Sequence, residues 1–183
     1  MRIAGGEFKG RIIKVPKIPN IRPSTERIRE AIFSVLGADI IEANVADLFC
    51  GSGALGFEAL SRGAEKALFV DLHRSSTAAV RDNIKLLELE DRTKILNMNV
   101  LDIRASHLKN INIIFADPPY HKGYCERLLS HLSLLKIAWY GILMLEHEAP
   151  WSYVGDDYKI AKQIEFGDSA VTFLMRFMPE LSE

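Results

Sequence analysis

The sequence predicts an α/β fold: one doubly wound, mostly parallel sheet of seven strands with an antiparallel hairpin at one edge. Two features predict it. From residue 45 onward, short apolar segments alternate with amphipathic segments of helical length, which favours right-handed βαβ units. The last two apolar segments, 158–164 and 171–177, are joined by a Gly167-Asp168 turn that is too short for a crossover helix, so we expect them to pair antiparallel.

The elements of the sheet follow in order from the same alternation. Each short apolar segment is interpreted as a strand, and each longer amphipathic segment as the helix that leads to the next strand. Strands are predicted at residues 45–49, 67–71, 94–96, 111–116 and 141–146, and helices at residues 55–62, 75–87 and 124–135.

A smaller N-terminal region precedes the sheet. Apolar residues recur at helical spacing over residues 28–36, and Ser24 or Thr25 can cap the helix that this spacing predicts. Before the helix, two β-like segments around three glycines predict a short irregular β-hairpin. We therefore expect two regions: a hairpin and helix over residues 1–37, and the sheet domain over residues 38–183.

The composition is that of a compact globular protein. A chain of 183 residues suits one domain, and 48% hydrophobic with 26% charged residues contradicts the signature of disorder. The longest apolar runs are far too short to span a bilayer, and the first ten residues lack the apolar core of a signal peptide. Two cysteines cannot form a disulfide framework, so we expect a cytoplasmic protein.

Charge is distributed unevenly along the chain. The first 33 residues carry eight basic and three acidic side chains, a net charge of +5, and because the whole chain is −1, the remainder is −6. A basic arm on an otherwise acidic domain is typical of a nucleic-acid handle, although a solvated charged face has the same composition. The asymmetry therefore favours a polyanionic partner that contacts the N-terminal region.

A glycine-rich segment follows the first predicted strand and opens a helix. Gly51 and Gly53 permit a tight turn and close approach of a ligand to the backbone, and Gly56 lets the helix pack near the sheet. Asp71 comes twenty residues after Gly51, at the end of the next strand, where a carboxylate can accept hydrogen bonds from both ribose hydroxyls of an adenosine. The pair predicts a site for a nucleoside cofactor; a purely structural turn is the alternative.

Asp47 helps to decide which cofactor this is. A carboxylate just before the glycine turn suits a pyrophosphate poorly, whereas it can face the ammonium group of S-adenosylmethionine. The alternative for Asp47 is a buried carboxylate that accepts hydrogen bonds from loop amides.

A second motif follows the strand at 111–116: Asp117, Pro118, Pro119 and Tyr120. Two prolines stiffen the backbone and remove amide donors, so the Asp117 carboxylate and the Pro118 carbonyl can form a fixed pair of acceptors. Such a pair matches an exocyclic amino group, and Tyr120 offers a stacking face for a flipped base. Amino-group methylation of a nucleobase is the chemistry that this combination predicts.

Together the two motifs resemble motifs I and IV of the class I S-adenosylmethionine-dependent amino-methyltransferases. More narrowly, the chain resembles the RsmD-type family, which methylates the N2 amino group of a guanine in 16S ribosomal RNA. The resemblance implies a Rossmann-like class I methyltransferase fold and extends from the first residue to about residue 146. It rests on residues 1–3 with 6–11, 22–25 with 27–33, and 51–56 with 58–62.

The resemblance and the motifs together assign the site residues. We expect catalysis at the four residues of the second motif and no metal. The residues expected to bind S-adenosylmethionine are Asp47, Phe49, Gly51, Ser52, Gly53, Asp71, Leu72, Asn99, Val100 and Asp117. For Asn99, whose side chain matches a position that meets the adenine edge in the family, a turn-forming role is the alternative. The residues expected to contact RNA phosphates are Arg11, Arg22, Arg27 and Arg29.

The expected partner is small-subunit ribosomal RNA, either free or within an assembling small subunit, bound by a monomeric enzyme without membrane contact. Three alternatives stay open at this point. An adenine N6 group presents the same amino hydrogens as a guanine N2 group, and only the resemblance favours guanine. A nicotinamide-dependent dehydrogenase shares the glycine loop, and a catalytically silent RNA-binding module shares the basic arm.

Overall fold

The computed structural model describes residues 1–16, 25–119, 123–135 and 141–176. Over these ranges the chain forms the predicted seven-stranded sheet, and the helices begin and end close to their predicted bounds. The strands are β1 (Asn44–Leu48), β2 (Lys66–Asp71), β3 (Thr93–Asn97), β4 (Ile113–Ala116), β5 (Ile142–Glu148), β6 (Tyr158–Phe166) and β7 (Ser169–Arg176). The helices are α1 (Glu26–Leu36), α2 (Ala54–Ser61), α3 (Arg74–Leu87) and α4 (Tyr124–Leu134). Within the described ranges no helix has the length and apolar character that crossing a membrane requires.

The strands lie in the order β3-β2-β1-β4-β5-β7-β6. Strands β1 to β5 run parallel, and β7 is antiparallel to both of its neighbours, β5 and β6. The order leads outward from β1 through β2 to β3 on one side, and from β4 to β5 on the other. The topology therefore reverses between β1 and β4, which is the place where open α/β sheets bind their ligands. The predicted fold class is confirmed.

Each face of the sheet is covered by its own apolar cluster. Side chains at alternate positions of the strands point to opposite faces. One cluster packs α1, α2 and α3 against Val45, Phe69 and Phe115, and the other packs α4 and nearby 3₁₀ turns against Leu48 and Val70. Burial on both faces explains why the parallel strands are almost uniformly apolar in sequence.

The N-terminal region packs on the sheet domain as one continuous core. Thr25 caps α1, since its Oγ1 accepts a hydrogen bond from the amide of Ile28 at 3.3 Å. The predicted hairpin is present as a single antiparallel bridge between Arg2 and Ile12, and side chains of this segment share the cluster that holds α1 to α3. The two regions therefore share one apolar cluster, and their division at residue 37 stays a prediction.

Glu58 of α2 holds the N-terminal segment in place. Its buried carboxylate accepts hydrogen bonds from the amides of Ala4 and Gly5, each at 2.8 Å, and from Nε of Arg62, also at 2.8 Å. The backbone of Gly6 lies against Ser61 at a φ of +76°, so close that a Cβ there would lie 1.8 Å from the Ser61 carbonyl oxygen. The hairpin thus depends on this close backbone approach to the end of α2.

Replacing Gly6 with alanine is expected to destabilise the fold by two added effects. The left-handed backbone costs an alanine about 1–2 kcal/mol, and the collision with Ser61 adds about 1–3 kcal/mol. Gly10→Ala is the matched control, because Gly10 also has a positive φ, +86°, but a Cβ there meets nothing within 4 Å. Urea unfolding of both variants measures the difference. Equal losses for the two variants would contradict the close approach at Gly6.

Candidate active site

The carboxyl ends of β1, β2 and β4 lie side by side. Leu48 at the end of β1 pairs with Val70 on one side and with Ala116 on the other. The segments that follow directly are the glycine loop, residues 49–53, and the double-proline corner, residues 117–119. The two predicted motifs, together with Asp71 at the end of β2, therefore meet at one edge of the sheet.

The glycine loop turns sharply before α2. Phe49 has a φ of 60° and Gly51 a φ of 52°, while Gly53 caps α2 in the left-handed conformation. A Cβ on Gly51 would meet nothing within 4 Å, so a ligand can approach the loop backbone there. A Cβ on Gly56 would lie 2.3 Å from the ring of Phe69, which confirms that Gly56 allows α2 to pack against β2.

Asp71 links the end of β2 to the glycine loop. Its Oδ2 accepts a hydrogen bond from the amide of Gly51 at 2.9 Å, and its Oδ1 accepts one from the amide of His73 at 2.7 Å. A carboxylate oxygen has two lone pairs, so each oxygen keeps the capacity to accept a second hydrogen bond. Asp71 therefore shapes the loop and still offers acceptors to a pair of hydroxyl groups.

Asp47 is a buried carboxyl group directly beneath the loop. Its Oδ2 accepts a hydrogen bond from the amide of Gly56 at 2.9 Å. This is the kind of contact that the alternative for Asp47, a buried carboxylate bonded to backbone amides, predicts. Burial nevertheless raises the pKa of Asp47 to about 8, since the loss of solvation outweighs the hydrogen bond and the charge of Asp71 adds to it. A cation bound beside Asp47 would favour the ionised form, so this position suits a positively charged ligand group.

The double-proline corner follows β4. Asp117 is half-buried, Pro118 is buried and Pro119 is exposed. Across the edge of the sheet, the ring of Phe49 contacts the ring of Tyr124 in α4 edge to face, with 5.8 Å between centroids. This contact joins the glycine loop to the first turn of α4. Tyr120 lies outside the described residues, so its stacking role stays a prediction.

Three further residues assigned to the cofactor follow two neighbouring strands: Leu72 comes directly after β2, and Asn99 and Val100 come after β3. Leu72 is 61% exposed, which leaves an apolar surface beside Asp71, and Val100 is buried. Asn99 uses its Oδ1 to accept a hydrogen bond from the amide of Leu101 at 3.0 Å. Asn99 thus has the turn-forming role that was its alternative, and its contact with an adenine edge stays a prediction.

Of the arginines assigned to RNA phosphates, Arg11 and Arg27 are exposed and Arg22 lies outside the described residues. The prediction for Arg29 is wrong. Arg29 is only 2% exposed, and its guanidinium donates a hydrogen bond to the Arg2 carbonyl at 2.9 Å. Its position four residues before Phe33 was the signal in the sequence, because residues four apart share one face of a helix and Phe33 faces the core.

Sequence reasoning missed a groove that opens beside the double-proline corner. The corner groove has a volume of about 200 Å³, and its walls include Pro118, Pro119, Glu126, Glu148 and Trp151. The residues come from the corner, from α4 and from the end of β5. No local pattern connects these segments, because only the pairing of β4 with β5 brings them together.

The two cysteines supply no reactive thiolate at this edge. Burial raises the pKa of Cys50, and it raises the pKa of Cys125 to about 12, so both thiols stay protonated. In the described parts of the chain, no three His, Cys, Asp or Glu side chains are arranged to hold a metal ion.

The pKa of Asp47 leads to a prediction about stability. Because the pKa in the folded state lies above that of an unfolded aspartate, the folded chain binds the extra proton and loses stability as the pH rises from about 4 to about 8. Asp47→Asn removes the titration. Between pH 5.5 and 8, we expect the variant to gain about 2–3 kcal/mol relative to the wild type in urea unfolding. A difference that does not change with pH would contradict the raised pKa.

Comparison with curated proteins identifies relatives along most of the chain. A family model described as "Conserved hypothetical protein 95" matches residues 1–175. Ribosomal RNA small subunit methyltransferase D of Escherichia coli (strain K12) is 37% identical over 132 residues, which cover 72% of this chain and 66% of that protein. The match thus spans just under two thirds of that relative's length. The putative rRNA methyltransferase YlbH of Bacillus subtilis (strain 168) is 36% identical over 133 residues, 71% of this chain and 72% of that protein.

Two solved structures that resemble this chain are also described as methyltransferases. The putative methyltransferase yhhF from Escherichia coli superposes with a TM-score of 0.81 at 31% identity, over 96% of this chain and 97% of that one. An RNA methyltransferase from Salinibacter ruber in complex with S-adenosyl-L-homocysteine superposes with a TM-score of 0.67 over 87% of this chain and 97% of that one; at 12% identity this shows the fold alone. Since the family model matches nearly the whole sequence, the chain belongs to the Conserved hypothetical protein 95 family, the RsmD-type family that its motifs resemble.

Proposed function

We propose that the chain is an S-adenosylmethionine-dependent methyltransferase that methylates the N2 amino group of a guanine in 16S ribosomal RNA. The observation that carries this proposal is the pairing of Leu48 with Ala116, which brings the glycine loop and the double-proline corner to one edge of the sheet. The relatives named as ribosomal RNA small subunit methyltransferases support the substrate class.

The residues at this edge fit S-adenosylmethionine. Asp71 keeps acceptor capacity for the two ribose hydroxyls, and Asp47 is a buried carboxyl group whose ionised form the ammonium group would stabilise. Gly51 leaves the loop backbone open to a ligand. The adenine would lie along Leu72, Asn99 and Val100. When bound, S-adenosylmethionine supplies an activated methyl group on a sulfonium.

The double-proline corner orients the group to be methylated. The Asp117 carboxylate and the Pro118 carbonyl accept the two amino hydrogens, which directs the nitrogen lone pair away from the corner. Half-burial of Asp117 strengthens these hydrogen bonds, because nearby solvent is reduced. Positioning and desolvation then supply most of the rate enhancement, and the residues need not act as a strong base.

The basic N-terminal region holds the RNA. Arg11 and Arg27 are exposed, and Arg22, which lies between them in the sequence, is assigned to the same phosphate contacts. Such contacts with phosphates give affinity and salt dependence rather than a choice of sequence. RNA shape then sets much of the specificity. That the enzyme acts on an assembling small subunit, as a cytoplasmic monomer, belongs to the same proposal.

The direct test is methyl transfer from labelled S-adenosylmethionine to small-subunit RNA, free or assembled, with nucleoside mass spectrometry of the product. The wild type is expected to form N2-methylguanosine. Asp117→Ala is expected to lower transfer by at least two decades, since it removes one of two acceptors, while the variant still binds S-adenosylhomocysteine. Full activity of Asp117→Ala would overturn the role of the corner.

Asp71→Ala tests the cofactor side of the same site. Loss of charge-assisted hydrogen bonds to the ribose should weaken binding of S-adenosylhomocysteine by about 1.5–3 kcal/mol, roughly one to two decades in Kd by calorimetry. Asp71→Asn keeps an acceptor for the Gly51 amide, although its NH2 group cannot accept from the His73 amide, so comparing the two variants separates loss of the Gly51 contact from loss of the carboxylate. RNA binding should be unchanged in both variants. Unchanged cofactor affinity would refute the assignment to the ribose.

A further inference from the structure

The corner groove shares Pro118 and Pro119 with the double-proline corner, so whatever fills it touches the proposed catalytic motif. Pro118 and Pro119 form one side of the groove, and Trp151, with the end of β5, forms another. Pro118 belongs both to the proposed acceptor pair and to the wall of the groove, so the groove is the space next to an amino group held there.

Trp151 is a fixed wall of the groove. Its Nε1 donates a hydrogen bond to Glu126 Oε1 at 2.8 Å, and its ring packs on His147 with 4.5 Å between centroids. His147 is fixed in turn, since its Nδ1 donates to the Glu148 carbonyl at 2.8 Å and its Nε2 lies 2.7 Å from Thr172 Oγ1. A flat aromatic side chain held on two sides is a suitable surface for a planar base.

Glu148 is the half-buried carboxylate at the end of β5, and it lines the same groove. Glu148 lines the same groove as Pro118, which places it beside the double-proline corner. Burial raises the pKa of Cys125, which also lines the groove, and the charges of Glu126, Asp117 and Glu148 add to this rise. Glu126 also lines the groove, and its carboxylate accepts the hydrogen bond from the indole of Trp151.

The chemistry of the base edge distinguishes guanine from adenine at this point. In guanine, the N2 amino group neighbours N1–H, which is a hydrogen-bond donor. In adenine, the N6 amino group neighbours an unprotonated N1, which is an acceptor. A carboxylate next to the amino site accepts a charge-assisted hydrogen bond from guanine N1–H, whereas it repels the lone pair of adenine N1.

We propose that the corner groove receives the target guanine and that the Glu148 carboxylate accepts its N1–H, which makes Glu148 the residue that selects guanine over adenine. This inference rests on the proposed function, because it assumes that the amino group is held at Asp117 and Pro118. The double-proline corner alone accepts the hydrogens of any amino group and does not distinguish guanine from adenine. Glu148 adds a contact with N1, the ring nitrogen next to the amino group.

The test uses an RNA substrate in which the methylated guanine, once mapped by mass spectrometry, is replaced by 2-aminopurine. This base keeps the 2-amino group but has an unprotonated N1 and lacks O6, so the change of preference in Glu148→Gln, rather than the wild-type ratio alone, carries the test. For the wild type, kcat/KM is expected to fall about 10- to 100-fold on 2-aminopurine relative to guanine, the loss of one charge-assisted hydrogen bond. Glu148→Gln should remove or reverse this preference, since a glutamine amide can donate to the unprotonated N1.

Glu126→Gln is the matched control. It removes one negative charge from the same groove, and its amide oxygen can still accept the hydrogen bond from Trp151. We expect Glu126→Gln to keep the wild-type preference for guanine. An equal relaxation in both variants would overturn the inference, because the total charge of the groove would then set the preference.

The remaining outcomes separate the two proposals. If the wild type transfers no methyl group to guanine, the proposed function fails. If it methylates guanine N2 but Glu148→Gln keeps the full preference over 2-aminopurine, the function stands and the inference fails. Should Glu148→Gln be too slow to assay, the ratio of Kd values for the two RNAs, measured with S-adenosylhomocysteine bound, replaces the kinetic ratio and is judged in the same way.

Discussion

The parallel pairing of β1 with β2 and β4 is the constraint on which the site depends. Parallel strands end at the same edge, so the segments after Leu48, Asp71 and Ala116 are neighbours although they are far apart in the chain. The apolar clusters on both faces hold this register, since a slip of one residue would turn every buried side chain to the opposite face. The core beneath the sheet edge therefore fixes where these three segments meet.

The buried polar groups connect the N-terminal region to this edge. Asn83 of α3 accepts a hydrogen bond from the Lys14 amide at 2.7 Å and donates to the Lys14 carbonyl at 3.0 Å, and its amide also lies 3.5 Å from the Ser52 carbonyl in the glycine loop. The hairpin that carries the basic residues is thus attached next to the proposed cofactor site. Asp47 is also buried, but unlike the neutral Asn83 it can ionise. Burial destabilises the ionised form of Asp47, and a cationic ligand would offset that cost.

The sequence was sufficient to predict the fold and the two motifs because both are local signals. Strands and helices alternate clearly in the sequence pattern, and Gly51, Asp71 and Asp117 each lie at or shortly after the end of a strand. Arg29 was assigned to RNA because of its charge, although its spacing of four residues from Phe33 places it on the buried face of the helix. The groove lined by Glu148 and Trp151 was beyond local reasoning, since it exists only where the end of β5 meets α4 and the double-proline corner.

A crystal structure of the chain with S-adenosylhomocysteine tests the central claim most directly. The account predicts that the ligand lies across the carboxyl ends of β1 and β2, with its ribose hydroxyls on Asp71 and its sulfur facing Asp117 and Pro118. A ligand bound at another edge of the sheet, or one whose sulfur faces away from the double-proline corner, would contradict the account.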